Sequence, residues 1–519
     1  MTFVTRKART VVGCAAALVL GSTFEGGRAH ATVSDSVHAA LARDLTIGLD
    51  FVEAHSELAA GSADDPTIAL ESGRLALYEG DCDAALILLA RSDVAKTDEG
   101  ASLADIARGC VRVTAGTVVD KDDAGAVEVR YQDDSDRPLT PLIVETVVRA
   151  RDALTRDLGA TWPKPTRITV VRDLMSLSAM TGLPQKDAQT TGTVAVAKWG
   201  RITLLSPRAT HHGYTWRDTI AHELTHLAVT RATVDRAPLW LQEGVAKRQE
   251  VRWREPGAFD DRPSSDAIVA QGIARKLDRP LDQLGPSIAM LPSADAAMVA
   301  FSEVTSFVRY LATIGTPDVL PSLFAALRAN QPIDDALVAT TGSNLKNWDT
   351  KWRAHISSEP APPIPALFGL GASQVDVREL QKRVRLAELL YGRDHVPEAL
   401  GEVDRITSPE ALEDGSVRYL RARVLESLGR QADGEPLVAD PKDVASSFGP
   451  WWAIRGRWAR ARGDEPTAGL SFFEALAADP LDVEVACEGI DAASTPKSLL
   501  QRPLCDASRA RHEPPIGRE

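Results

Sequence analysis

The sequence lacks three things: a Cys-x-x-Cys spacing, a long hydrophobic run and an excess of basic charge. Without Cys-x-x-Cys, its few cysteines do not point to dithiol redox chemistry or a thiolate zinc site. No apolar run reaches the about 18 residues of a membrane-spanning helix, so no transmembrane segment is expected once the leader is removed. Lys and Arg number 59 against 72 Asp and Glu, a net charge of −13. That balance argues against a nucleic-acid partner, which needs a basic surface to displace counterions. Extended low-complexity sequence is also missing, and 519 residues exceed what one hydrophobic core holds, so several domains are expected.

The first residues read as an export signal over 1–31. Arg6, Lys7 and Arg9 precede a short apolar run from Val11 to Leu20, and Ala29-His30-Ala31 supplies a small-x-small cleavage site. Val11-Val12-Gly13-Cys14 loosely resembles a lipoprotein cleavage box. Most of the apolar segment follows that cysteine, so a periplasmic or secreted protein is favoured over a lipid-anchored one. The four cysteines beyond the leader are expected to pair locally, Cys82 with Cys110 and Cys487 with Cys505, as suits an oxidising compartment.

Residues 32–116 read as a helical domain. Gly73, Gly80, Ala84, Ala85 and Leu89 fall where two antiparallel helices must approach closely, as in tetratricopeptide repeats. Trp452, Gly456, Gly463, Ala468, Phe472, Ala475 and Pro480 resemble that repeat more closely. Weaker copies surround Gly392 and Gly429, so 370–519 is expected to be a tetratricopeptide-like helical array and a surface for a protein partner. Glu359 to Pro365 is rich in proline, and 357–369 is expected to be a stiff linker.

The texture of 117–356 is different. Val127, Val129 and Tyr131 alternate as in a half-buried strand, and Ile143, Val147, Ala150, Leu154 and Leu158 recur at helical spacing up to Gly159. Thr166 to Arg172 reads as a strand. Thr193 to Ala197 and Ile202 to Leu205 read as a hairpin turning through Trp199-Gly200. A helix is expected from Trp216 to about Thr230, buried along Trp216, Ile220, Leu224 and Leu227. The acidic residues Asp120, Asp122, Asp123, Asp133, Asp134 and Asp136 are expected to be solvated turn residues, because no spacing fits a calcium loop. His211-His212 is expected to be a solvated loop.

That helix carries His222-Glu223-Leu224-Thr225-His226. Residues four apart stack on one helix face, so both imidazoles can reach one ion, while Glu223 is turned aside and can reach a water on it. Downstream, Pro238-Leu-Trp-Leu-Gln-Glu243-Gly244-Val-Ala246 reads as a second helix folded back on the first. Glu243 then offers a third ligand and leaves the fourth position open, as a catalytic zinc site requires.

HELTH followed by P-x-W-L-x-E-G-x-A resembles the gluzincin, or peptidase MA-like, metallopeptidases, and the resemblance extends over about 125–355. It implies an α+β zincin-like catalytic domain, a small sheet plus active-site helices, flanked by all-α helical-repeat domains. It implies Zn2+ held by His222, His226 and Glu243, with Glu223 as general base acting through a metal-activated water on a peptide or protein substrate. It also implies that the strand Gly192 to Ala197 borders the cleft, where an extended peptide can add as a further strand. Relatives often carry a tyrosine where Phe301 stands, which leaves Tyr214 and Tyr310 as candidates for the oxyanion-stabilising hydroxyl. The rival reading is a repeat-based interaction or scaffold protein whose zincin-like domain has little or no turnover.

Overall fold

The computed structural model describes residues 34–481, apart from 162–163, 211–212, 257–259, 262, 286, 316–317, 359–376, 408–411, 413 and 442–447, together with 487, 505 and 506. The expected signal at 1–31, most of the linker at 357–369 and the His211-His212 loop lie outside the described residues.

Among the described residues, five helices come first: α1 (Asp35–Ile47), α2 (Phe51–Ala60), α3 (Pro66–Glu79), α4 (Cys82–Leu89) and α5 (Asp98–Thr114). Asp65 caps α3 by accepting hydrogen bonds from the Thr67 and Ile68 amides, and Gly80 ends it in the left-handed conformation. The close approach expected at Gly73 is present, since a Cβ there would lie 2.7 Å from Leu89 Cγ. Cys82 and Cys110 are disulfide-bonded, tying α4 to α5, and Cys487 is bonded to Cys505.

The sheet contains β1 (Val118–Lys121), β2 (Val127–Tyr131), β3 (Thr166–Val171), β4 (Ala195–Lys198) and β5 (Arg201–Leu205), in the order β1-β2-β3-β5-β4. The central pairs β2–β3 and β3–β5 are parallel, and the outer pairs β1–β2 and β4–β5 are antiparallel. Helix α6 (Thr140–Leu158) crosses between β2 and β3, and α7 (Leu174–Thr181) and α8 (Gln185–Thr191) lead from β3 to β4. The β4–β5 hairpin turns where expected, with Trp199 and Gly200 both at positive φ, the geometry of a two-residue hairpin loop.

Both sheet faces are covered. Val127, Val129, Tyr131, Ile168, Val170, Ile202 and Leu204 join α6 and the metal-motif helix in one core, which also takes in Ala42, Leu49 and Phe51 from the N-terminal helices. Val171 and Leu205 face the other way and pack with Leu77, Leu89, Leu103 and Cys110. The apolar core therefore runs across residue 116, where the texture of the sequence changes.

Beyond the sheet come α9 (Trp216–Thr233), α10 (Leu239–Gln249), α11 (Ser265–Ala274), α12 (Ala294–Ile314), α13 (Val319–Arg328), α14 (Ile333–Thr341) and α15 (Leu345–Ser358). The C-terminal part is helical as well, with α16 (Val377–Tyr391), α17 (Val396–Asp404), α18 (Gly415–Ser427), α19 (Gly449–Ala461) and α20 (Glu465–Ala478). In the last hairpin a Cβ on Gly456 would meet the Phe472 ring at 2.8 Å, so these two helices are in close contact.

Among the acidic residues around β1 and β2, Asp123 and Asp134 are exposed as expected, but others require a correction. Asp136 is fully buried and accepts hydrogen bonds from Ser206 and Arg208. Asp133 also pairs with Arg208; burial opposes its charge, but Arg208 and the Ser135 amide hold its carboxyl down to about 2. Asp120 pairs with Arg137. Arg137 belongs to the segment itself, but Arg208, which neutralises Asp133 and Asp136, comes from just past the end of β5, where local sequence does not reveal it.

Candidate metal centre

Helix α9 is anchored by the stripe its sequence displays: Trp216, Ile220, Leu224 and Leu227 are all buried. His222 and His226 lie off that stripe and point toward α10. The chain reverses through Val234 and Asp235, both at positive φ, and α10 returns along α9 with Trp240 and Leu241 buried beneath it. Gly244 brings α10 against α12, since a Cβ there would lie 2.4 Å from Val308 Cγ2.

This brings three donors to one point. His222 Nε2 and His226 Nε2 are 3.2 Å apart, and Glu243 Oε2 is 3.6 Å from each. Ligands about 2.0–2.1 Å from a tetrahedral ion stand roughly 3.3 Å from one another, so the spacing fits zinc bound by two imidazoles and one carboxylate. Among the described residues, His222, His226 and Glu243 are the only such group of metal-ligating side chains.

The electrostatics of the cluster favour positive charge. Burial disfavours an ionised Glu243, but the charges and hydrogen bonds of His226 and His222 outweigh it and hold the carboxyl well below the usual range. Burial likewise opposes protonation of His222, yet Glu243 and Glu250 raise it to about 9, and Glu243 raises His226. A dication can take the place of those protons, because metal ligands bind deprotonated.

Glu223, 7 % exposed, is not one of the three converging donors. Its Oε2 accepts the Ala197 amide hydrogen of β4, which aims the carboxylate across the cleft mouth. The cleft has a volume of about 860 Å³ and runs between the Thr191–Ala195 segment, the exposed side of α9, the end of α10 and the Phe301 side of α12. The expected edge strand does border it, and β4 is the last strand of the sheet.

Two candidates are corrected. The Tyr214 hydroxyl donates to the Leu205 carbonyl, and Tyr310 stacks on His355 and meets Trp348 edge-on. Neither lines the cleft, whereas Phe301 does, with the Lys247 ammonium 5.8 Å from its ring.

The sequence reading missed the groups behind these three donors. Glu250 Oε2 lies 3.1 Å from His222 Nδ1, and both its oxygens accept from Lys247 Nζ at 3.0 Å. Burial opposes the Glu250 charge, but Lys247 and His222 bring its carboxyl down to about 2. Gln242 Oε1 stands 3.5 Å from His226 Nδ1. Glu243 and Lys247 on α10 and Glu250 at its C-cap stand at i, i+4 and i+7, a spacing that could have exposed the pair. Such outer partners fix the tautomer and orientation of metal-binding histidines. Glu250→Gln is therefore expected to weaken zinc binding about 10- to 100-fold, measured by competition against a chromophoric chelator. An unchanged affinity would remove Glu250 from the site.

Among curated proteins none matches this chain. Residues 147–358, which contain His222, Glu223, His226 and Glu243, match the family model of the Peptidase MA superfamily, and the match supports a zincin-like peptidase domain over that stretch.

Proposed function

We propose that this chain is an exported zinc-dependent metallopeptidase in which His222, His226 and Glu243 hold the metal and Glu223 is the general base. The observation that carries the reading is the convergence of the three ligand atoms beside a carboxylate that is not a ligand but faces the same cleft. When bound, zinc acidifies a water and polarises the scissile carbonyl. Glu223 takes the proton from the attacking water and returns it to the departing amine. Glu250 and Gln242 keep the two imidazoles in register for the ion. An extended substrate fits along β4, where backbone pairing requires no particular side chain.

The flanking helical hairpins fit tetratricopeptide-like packing, tight at Gly73 and Gly456, and would serve to engage a protein partner. Export is consistent with the two disulfides, and no described helix is long and apolar enough to cross a membrane.

Purified protein is expected to contain stoichiometric zinc by elemental analysis and to cleave members of a broad peptide library. Chelation should abolish cleavage, and added zinc should restore it. Absence of metal from protein prepared without chelators would refute the site. Bound zinc with no cleavage would favour the scaffold reading.

A further inference from the structure

The sheet face turned toward the N-terminal helices carries a second cluster of charge, remote in role from the metal centre. Arg167 on β3 and Arg201 on β5 are directly opposite each other in the parallel ladder, and Arg130 lies on the neighbouring strand β2. The three line a small, partly open cavity of about 20 Å³ beside Gly80 and Thr114.

Arg201 is 2 % exposed, and its guanidinium finds only weak partners. Nη1 donates to the Leu77 carbonyl at 3.0 Å and Nη2 to the Cys110 sulfur at 3.3 Å, while Nε has none. Arg167 Nη1 is buried with no acceptor. Arg130 donates to the neutral Thr117 hydroxyl. One carboxylate lines the cavity, that of Glu128, which also pairs with Lys121 at 3.3 Å. Burial, with Arg130 and Arg167 adding to it, pushes Arg201 down to about 10.

Like charges facing each other across a ladder destabilise a sheet. A buried cation without a counter-charge costs several kcal/mol. A water would accept the orphaned N–H groups but would bring no charge, leaving three guanidiniums against the one carboxylate of Glu128, which already pairs with Lys121. The cavity admits one occupant of about water size, too small for a polyatomic oxyanion.

We propose that Arg130, Arg167 and Arg201 form a binding site for a single small inorganic anion, with chloride as the fitting ligand. The anion accepts from Arg201 Nε and Arg167 Nη1 and joins the helices carrying Leu77 and Cys110 to the sheet. The site stabilises the fold rather than taking part in peptide hydrolysis, and it does not depend on the metal assignment.

The test is thermal unfolding of the full chain at constant ionic strength while sodium gluconate is exchanged for sodium chloride or bromide. A saturable rise in Tm of several degrees is expected with either halide, and Arg167→Met should abolish it. Crystals grown in bromide should show an anomalous peak between the three guanidiniums, a result independent of whether the variant folds. Equal Tm in gluconate and halide, or no bromide peak at this cavity, would overturn the proposal and leave a water there.

Discussion

Replacing Glu223 with glutamine is expected to reduce peptide hydrolysis roughly 10²- to 10⁴-fold, the usual worth of a general base, while zinc content stays the same. Glutamine keeps the volume of the side chain and an oxygen that can still accept the Ala197 amide hydrogen, so the cleft mouth is preserved. What it loses is the ability to take a proton. The ligand set is untouched, because Glu223 is not among the three donors that converge. Initial rates and metal analysis on the same preparation separate the roles: retained turnover would show that Glu223 is not the base, and lost zinc would show that it supports the metal.

A single methyl group added at Gly244 is expected to damage the same site from behind. The new Cβ would stand 2.4 Å from Val308 Cγ2 and 2.5 Å from the Val304 carbonyl oxygen. The valine can turn, but the carbonyl belongs to the α12 backbone, so α10 must move as a unit. Overpacking of this kind costs about 1–3 kcal/mol. Glu243 is the preceding residue, and in the proposed role of metal ligand it would tolerate displacement of only about 0.5 Å. Gly244→Ala should therefore lower Tm and weaken zinc affinity about 10-fold or more, read by calorimetry and chelator competition. Gly401→Ala is the control. Nothing lies within 4 Å of its added Cβ, and alanine in an open helix adds up to about 1 kcal/mol of stability.

The convergence of His222, His226 and Glu243 was legible because it is written in helical spacing. His222 and His226 are one turn apart, Trp216, Ile220, Leu224 and Leu227 fix the face that must be buried, and Trp240 and Leu241 do the same for the helix bearing Glu243. The hairpin was equally plain, since Trp199-Gly200 separates two short apolar runs. Strand β1 was missed. It is four residues long and nowhere buried, so no alternation marks it, and its extended form depends on pairing with β2. The covering of the sheet was also hidden. Val127, Val129 and Tyr131 declare an inward face, but Arg130, Arg167 and Arg201 on the other side look like residues bound for water. Only the contact between distant parts of the chain encloses them beneath α3 and α5.

That two-sided burial limits how the molecule can be divided. The stretch 147–358 begins inside α6 and excludes β2, which supplies an entire hydrogen-bonded flank to β3. A fragment cut there would carry His222, Glu223, His226 and Glu243, yet β3 would become a bare sheet margin. The faces of Val171 and Leu205 now sheltered by Leu77, Leu89 and Leu103 would open to solvent. Bare margins of this kind pair with other chains and aggregate. The smallest piece expected to fold on its own therefore starts with the N-terminal helices, well upstream of His222.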